Sequence, residues 1–427
     1  MDIPFLYVDV GHPTWLFYAA LLIFAVFFRF SRLVSVRNLD LSLILCISTA
    51  LVLTGTWPTT ADEATQSVAS QAVGSLSRYS PTVLLSLSVL LIIRLILDEN
   101  LTRRPRLEQN LNQQGLTFLC VPAFVILMTS VFMFEPPGGN VDVVESGKAL
   151  LERQAIGETE TDDAEEQPAP TETLIAAGAS AVAQLSGGID DTAVSPDSES
   201  SPIEESIARI LIVMAHTIVV CGFIYIGRNH FNSLQLGISM SCLYLLLPCT
   251  AFKVHELSHV LPAACLVWAF ACYRRPAVAG VLLGLACGTL FFAVFLLPLW
   301  AVFYGRKGSL RFGLSVDSVG IGQIYLRITL AAIFFVMLTA MTVIPRRRNL
   351  ENLLANSTAL VVAAQLWYPR DVGTYVLWYL PLLLMVMFRP RLDRFTPPEM
   401  DHPESATRRK PATAQAGGAL SRVTLYH

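Results

Sequence analysis

The sequence predicts an all-α, polytopic transmembrane helical bundle of about eleven spans, and three observations predict it. Apolar residues make up 53% of the chain against 15% charged, with a mean hydropathy of +0.54, a balance that belongs to membrane proteins. The apolar residues come in runs long enough to cross a hydrocarbon core of about 30 Å at about 1.5 Å per residue. Arginines gather in short clusters between those runs while acids gather in one insertion, so the charge pattern reports topology. Membrane lipids are the expected partner and nucleic acid is excluded.

In chain order, the runs lie near 14–30, 41–57, 82–98 and 116–134, then 207–227, 232–251, 257–273, 277–303, 324–344, 353–369 and 372–388. The expected organisation is four N-terminal spans in 1–134, an insertion over 135–206, about seven spans in 207–394 and a tail from 395 to 427. Basic clusters follow the first run (Arg29, Arg32, Arg37), the third (Arg103, Arg104, Arg106), the seventh (Arg274, Arg275), the ninth (Arg346, Arg347, Arg348) and the last (Arg389, Arg391, Arg394). Simple alternation puts all of these on one side, which the positive-inside rule makes cytoplasmic. The protein is thus expected in the inner (plasma) membrane, N-terminus outside and C-terminus cytoplasmic. Arg306, Lys307 and Arg311 break the pattern, so 277–303 is either an exception or two half-helices, with Gly284, Gly288 and Pro298 available to interrupt it. In the second case a later span is also re-entrant, and 353–369 is the weakest.

The insertion opens with EPPGGN, continues through GETETDDAEEQPAPTET and ends in SPDSESSPIEES. It is expected to be a disordered acidic extracytoplasmic loop, with at most a marginal helix around 174–185, because so little apolar surface cannot offset its ordering entropy. The Pro- and Ala-rich tail is expected to be disordered and cytoplasmic. Asp2, Asp9 and His12 precede the first run where a signal peptide would carry basic residues, so none is expected. All eight cysteines fall in or at the ends of apolar runs without a C-x-x-C pair and read as small buried hydrophobes. Trp15, Trp57, Trp367, Tyr368 and Tyr375 sit near run ends and read as interfacial anchors. Within the runs, Arg94 is expected to snorkel beside Asp98, His216 to hydrogen-bond between helices, and Gly280 with Gly284 to form a small-residue packing face.

Chemistry concentrates between Pro248 and Arg306. His255, Glu256 and His259 spell H-E-x-x-H, in which two histidines four apart on a helix hold zinc and the glutamate is the general base. The string is similar to the HELGH-like motif of intramembrane zinc proteases. Pro262, three residues after His259, suits the first turn of a helix starting near Ser258 or His259 and not one already running through His255. The string also maps to the outer end of its span, and Asp317 and Asp393 are not followed by the Gly of that family's third-ligand motif. No metal or other cofactor is therefore called for, and the zinc protease stays as an alternative.

The following stretch, RRPAVAGVLLGLACGTLFFAVFLLPLWAVFYGR, resembles polyprenyl-phosphate-sugar-dependent integral-membrane glycosyltransferases (the GT-C superfamily, mannosyltransferase-like) over about 60 residues. The matching positions are Arg274, Arg275, Ala279, Gly280, Gly284 and Ala286. The resemblance implies a GT-C-like bundle and a polyprenyl-phosphate-linked sugar donor. Leu290 and Ala293 stand where that family usually has Lys and Pro, and its catalytic acid corresponds most nearly to Asp9. Alternating topology gathers Asp9 and His12, Asp62 and Glu63, Lys253, His255, Glu256 and His259, and Arg370 and Asp371 on the outer face. A lipid-phosphate donor requires a base for the acceptor hydroxyl and cations for the departing phosphate. Asp9 or Glu256 is the candidate base, Lys253 and Arg370 are the phosphate ligands, and His255, His259 and Asp371 complete the substrate-binding set. A non-catalytic polytopic protein with the same scaffold is the direct competitor.

Overall fold

The described parts of the apolar runs fold as helices, the conformation that satisfies a segment's backbone polar groups within the segment itself. The computed structural model describes residues 13–33, 35–54, 68–100, 107–133, 138–152, 169–185, 202–312, 325–343, 349–367, 375–390, 392 and 395–397, and every regular element among them is helical. The helices are α1 (Pro13–Phe27), α2 (Val36–Thr54), α3 (Val68–Ile96), α4 (Gln113–Met133), α5 (Gly138–Glu152), α6 (Pro170–Leu185), α7 (Pro202–Asn229) and α8 (Leu234–Leu246). They continue as α9 (Pro248–Phe252), α10 (Leu257–Ala271), α11 (Pro276–Thr289), α12 (Leu296–Phe312), α13 (Tyr325–Val343), α14 (Leu350–Trp367) and α15 (Tyr375–Phe388). Four helices among the described residues are long and apolar enough to cross a membrane: Val36–Thr54, Tyr79–Ile96, Gln113–Met133 and Ile203–Asn229. Seven further apolar helices are shorter.

Two predicted spans are interrupted. The run 232–251 breaks at Leu247, which is extended because Pro248 follows it and disfavours the helical region for its predecessor. The freed backbone N–H of Cys249 is taken up by Ser48 Oγ of α2 at 2.8 Å, as a broken helix in a low-dielectric setting requires. The run 277–303 breaks at Leu290 (φ −130°, ψ 109°), passes through a 3-10 turn at Phe291–Phe295 and resumes as α12, with Pro298 in the first turn of the new helix. The half-helix alternative therefore has its break, two residues after Gly288.

The centre of the bundle is made by α8, α10, α14 and α15, which are buried almost throughout. The long helices α3, α4 and α7 and the shorter α1 surround them and turn Phe17, Tyr18, Phe118, Val121, Ile210 and Met214 outward. Helices α7 and α8 cross closely at a glycine pair, where a Cβ on Gly227 would lie 2.4 Å from the Gly237 backbone, an approach that a larger residue would block. The expected packing face at Gly284 is not one: a Cβ there meets nothing within 4 Å. The reason is that α11 packs through Ala279, Leu283 and Ala286 instead.

The insertion carries two described helices: α6 covers the helix expected around 174–185, and α5 stands where a disordered stretch was expected. Helices α5 and α6 form a pair packed on α7 and α11 respectively, and a Cβ on Gly147 would meet the Ala177 backbone N at 2.6 Å. Val141, Val143 and Val144 on α5 and Ala176 and Ala177 on α6 are buried in that contact. Small residues at helical spacing become a core only against a partner, and the acidic flanks masked them in the composition. The rest of the insertion, residues 135–137, 153–168 and 186–201, lies outside the described residues, as does the tail from 398.

An ionic layer joins α2, α3, α14 and α15. Arg94 does not snorkel: its Nε and Nη2 grip both carboxylate oxygens of Asp40 at 2.8 Å, and Nη1 meets Asp98 Oδ1 at 2.7 Å. Arg389 bonds the other oxygen of Asp98, donates to the Glu351 carbonyl at 2.6 Å and lies 3.4 Å from the Glu351 carboxylate. The bidentate fork pairs the Arg94 guanidinium with Asp40 within the protein. Arg389, counted above as a topology charge, is thus a buried structural cation. Tyr375 is likewise no interfacial anchor: it is buried, with its ring 5.0 Å from Phe292 and 4.7 Å from Trp378. The eight cysteines are unpaired, and Cys46 and Cys221 lie on outward faces instead of in the core.

Candidate functional site

The turn between α9 and α10 brings Lys253, Glu256 and His259 together. Lys253 caps the C-terminal end of the short α9, and Glu256 is the extended N-cap of α10 (φ −96°, ψ 108°). That geometry turns the Glu256 carboxylate back on its own neighbours. One oxygen accepts from Lys253 Nζ and the other contacts His259 Nε2, both at short range. Burial pushes the Glu256 carboxyl up, but the hydrogen bonds and charges of His259 and then Lys253 outweigh it and hold the group down at about 2. The Glu256 carboxylate is therefore held in its ionised form, with both oxygens engaged by its neighbours. Its oxygen orients His259. In the neutral imidazole, Nε2–H donates to Glu256 and Nδ1 is left as an acceptor, and Nδ1 is buried without a hydrogen-bond partner. The Trp378 ring of α15 lies against the imidazole, 5.6 Å between centroids.

The turn itself is held from two helices. Asn140 of α5 donates to the His255 carbonyl at 2.6 Å and accepts from the Leu257 N–H at 3.3 Å, supplying from a distance the cap that the Glu256 side chain does not make. His216 of α7 uses Nε2 on the Val254 carbonyl at 3.2 Å, and its Nδ1 pairs with the Tyr244 hydroxyl of α8 at 3.1 Å. Because the carbonyl accepts, Nε2 carries the proton and Tyr244 donates to Nδ1. The interhelical role expected for His216 is the one it has.

His255 does not join the cluster through its imidazole position on a helix. Since α10 begins at Leu257, His255 precedes the helix while His259 lies in its first turn, so the two rings do not share a helical face. No group of three or more His, Cys, Asp and Glu among the described residues is arranged to hold a metal. The helix also starts slightly earlier than its sequence indicates, which moves Pro262 from the first turn into the second; the cap supplied by Asn140 permits that start. Asp9, His12, Asp62, Glu63, Arg370 and Asp371 lie outside the described residues.

Sequence reasoning missed Asn140, His216 and Tyr244 as parts of this site. Asn140 stood in EPPGGN, which read as the start of a disordered loop, and nothing local links it to a turn 115 residues away. No protein-family model, curated protein or solved structure matches the chain.

Proposed function

We propose that the chain is a multi-pass inner (plasma) membrane protein of about eleven crossings and GT-C-like architecture that transfers a sugar from a polyprenyl-phosphate carrier at its extracytoplasmic face. The observation that carries this reading is the Glu256–His259 pair beside Lys253, placed where the interrupted α8–α9 segment meets α10. Interrupted helices at a membrane site expose backbone and side-chain polar groups to a ligand. In this reading His259 Nδ1 accepts the proton of the acceptor hydroxyl, and Glu256 fixes the tautomer and stabilises the imidazolium that forms. The acceptor oxygen bonds to the anomeric carbon as the bond from that carbon to the phosphate oxygen breaks. Polyprenyl phosphate leaves with its charge met by Lys253. Asp9 remains the alternative base, with Arg370 and Asp371 as further ligands of the donor.

The test is transfer of label from a polyprenyl-phosphate sugar in proteoliposomes, comparing wild type with His259→Gln, Glu256→Gln, Lys253→Gln and Asp9→Asn. Loss of about a hundredfold or more in His259→Gln with an unchanged unfolding temperature supports the dyad. Loss confined to Asp9→Asn moves the base to the N-terminus, wild-type transfer in all four removes this site assignment, and no transfer by the wild type removes the transferase.

A second reading, a non-catalytic scaffold, is favoured by the closure of the cluster on itself: both Glu256 oxygens are engaged, by Lys253 and His259, and His259 is buried under Trp378. It predicts no transfer above background for the wild type or for any of the four variants. The zinc-protease alternative is checked by elemental analysis of purified protein, where about one zinc per chain, lost in His255→Ala/His259→Ala, would revive it.

A further inference from the structure

Away from that turn, the α1–α2 corner and the segment leading into α4 enclose an open pocket of about 430 Å³ lined by Phe28, Arg29, Phe30, Arg37, Glu108 and Gln109 among others. Two guanidiniums face one carboxylate there: Arg37 Nη1 lies 3.4 Å and Arg29 Nη1 3.7 Å from Glu108 Oε2. The pocket therefore carries an excess positive charge. Arg37 is only 5% exposed, anchored by bonds from Nη2 to the carbonyls of Phe27 and Glu108. Its Nε is nonetheless buried without a hydrogen-bond partner, as is Oε1 of Gln109. Asn38 and Asn110 brace the corner: Asn38 accepts from Arg29 N and donates to the carbonyls of Arg29, Arg32 and Leu33, while Asn110 donates to the carbonyls of Ala25 and Phe28. The arginines are thus presented by a stiff frame and not by a floppy loop. Beside them Phe30 and Leu33 are 68% and 66% exposed, large apolar side chains next to a cationic pocket at the end of a membrane helix.

The geometry points to a binding site for the phosphate of an anionic phospholipid headgroup at this corner. Arg29 and Arg37 hold the phosphate, Glu108 is the competing anion it partly displaces, and Phe30 and Leu33 lie along the upper acyl chains. Planar guanidiniums suit phosphate oxygens, and basic pockets between membrane helices are where headgroups bind. The exposed apolar pair favours a lipid over a water-soluble phosphate. The site rests on the membrane reading of the bundle and is independent of sugar transfer, so failure of either leaves the other standing.

The test is native mass spectrometry of the delipidated full chain in detergent, titrated with phosphatidylglycerol, phosphatidylcholine and glycerol phosphate. Retention of one phosphatidylglycerol in preference to phosphatidylcholine is expected, weakened about fivefold in Arg29→Gln, the loss of one surface cation near a headgroup. Glu108→Gln is expected to act in the opposite direction and tighten it, which a merely structural role for either residue does not produce. Equal retention of the two lipids, indifference to both variants, or glycerol phosphate binding as tightly as the lipid overturns the assignment.

Discussion

The ionic layer at one end of α15 and the Lys253–Glu256–His259 turn near its other end are built from the same kinds of charge and do different work. Arg389 follows the last turn of α15, and Trp378, near its first turn, covers His259. In the layer, three carboxylates and two guanidiniums from α2, α3, α14 and α15 are joined by bonds that span 54 residues for Asp40–Arg94 and 291 for Asp98–Arg389. In the turn, all three charged or titratable groups lie within seven residues, at spacing i,i+3. A charge held from four helices is a clamp whose removal is felt by the whole bundle. A charge held by its own turn can be removed with little effect on the helices around it, which leaves it available for chemistry.

The largest expected effect is in the layer. Arg94→Ala leaves Asp40 and part of Asp98 buried without their cation, and the expected loss is about 3–5 kcal/mol, read as a lowered unfolding temperature in detergent. Arg94→Ala with Asp40→Ala is expected to lose less than the sum of the single changes. Strict additivity would break the clamp description.

Glu172, in the first turn of α6, supplies a contrasting carboxylate. Burial raises it to about 7, against a weaker lowering by a backbone bond at Ala169, from an ordinary 4.5. A carboxyl whose folded value is raised opposes folding once it ionises, so the α5–α6 pair is expected to lose stability as the pH rises from about 4.5 to 7. Glu172→Gln is expected to flatten that slope, measured by thermal unfolding across the same range. An identical slope in the variant would show that Glu172 is not the group responsible.

Asn140→Ala is a smaller test of how the turn is held. Losing the trans cap and the bond to the His255 carbonyl is expected to cost about 1–2 kcal/mol and to speed amide exchange at 255–258. Unchanged exchange would mean that His216 alone holds the turn. The smallest stability effect is expected for Glu256→Gln, under about 1 kcal/mol near neutral pH for a partly exposed ion pair. Its folded value lies below its ordinary 4.5, so its contribution is complete above that pH and is lost as the pH falls towards about 2. An acid-unfolding curve unchanged in the variant would detach Glu256 from its two cations. A loss as large as that of Arg94→Ala would erase the contrast between the regions.

The helices were legible in the residues and the site only in part. Lys253, Glu256 and His259 could be picked out because they are near neighbours in an otherwise apolar stretch. Their arrangement could not: the extended N-cap conformation of Glu256 turns its carboxylate onto Lys253 and His259. The interruption at Leu290 was half visible, through Gly284, Gly288 and Pro298, whereas the run 232–251 read as continuous despite Pro248. The α5–α6 pair was hidden because Val and Ala at helical spacing look unremarkable among acids until another helix covers them.

Taken alone, the sequence determined the all-helical class, the position of nearly every helix and the places where charge concentrates. Those are local properties: in an apolar medium a segment must close its hydrogen bonds within itself, so composition over about twenty residues decides its state. Only the tertiary structure decided that Asp40 is the partner of Arg94, that Asn140 caps α10, that Arg389 is buried and that Gly227 and Gly237, not Gly284, make the close crossing. Each of these depends on two segments far apart in the chain meeting in one register, and no single stretch of sequence carries the geometry of both.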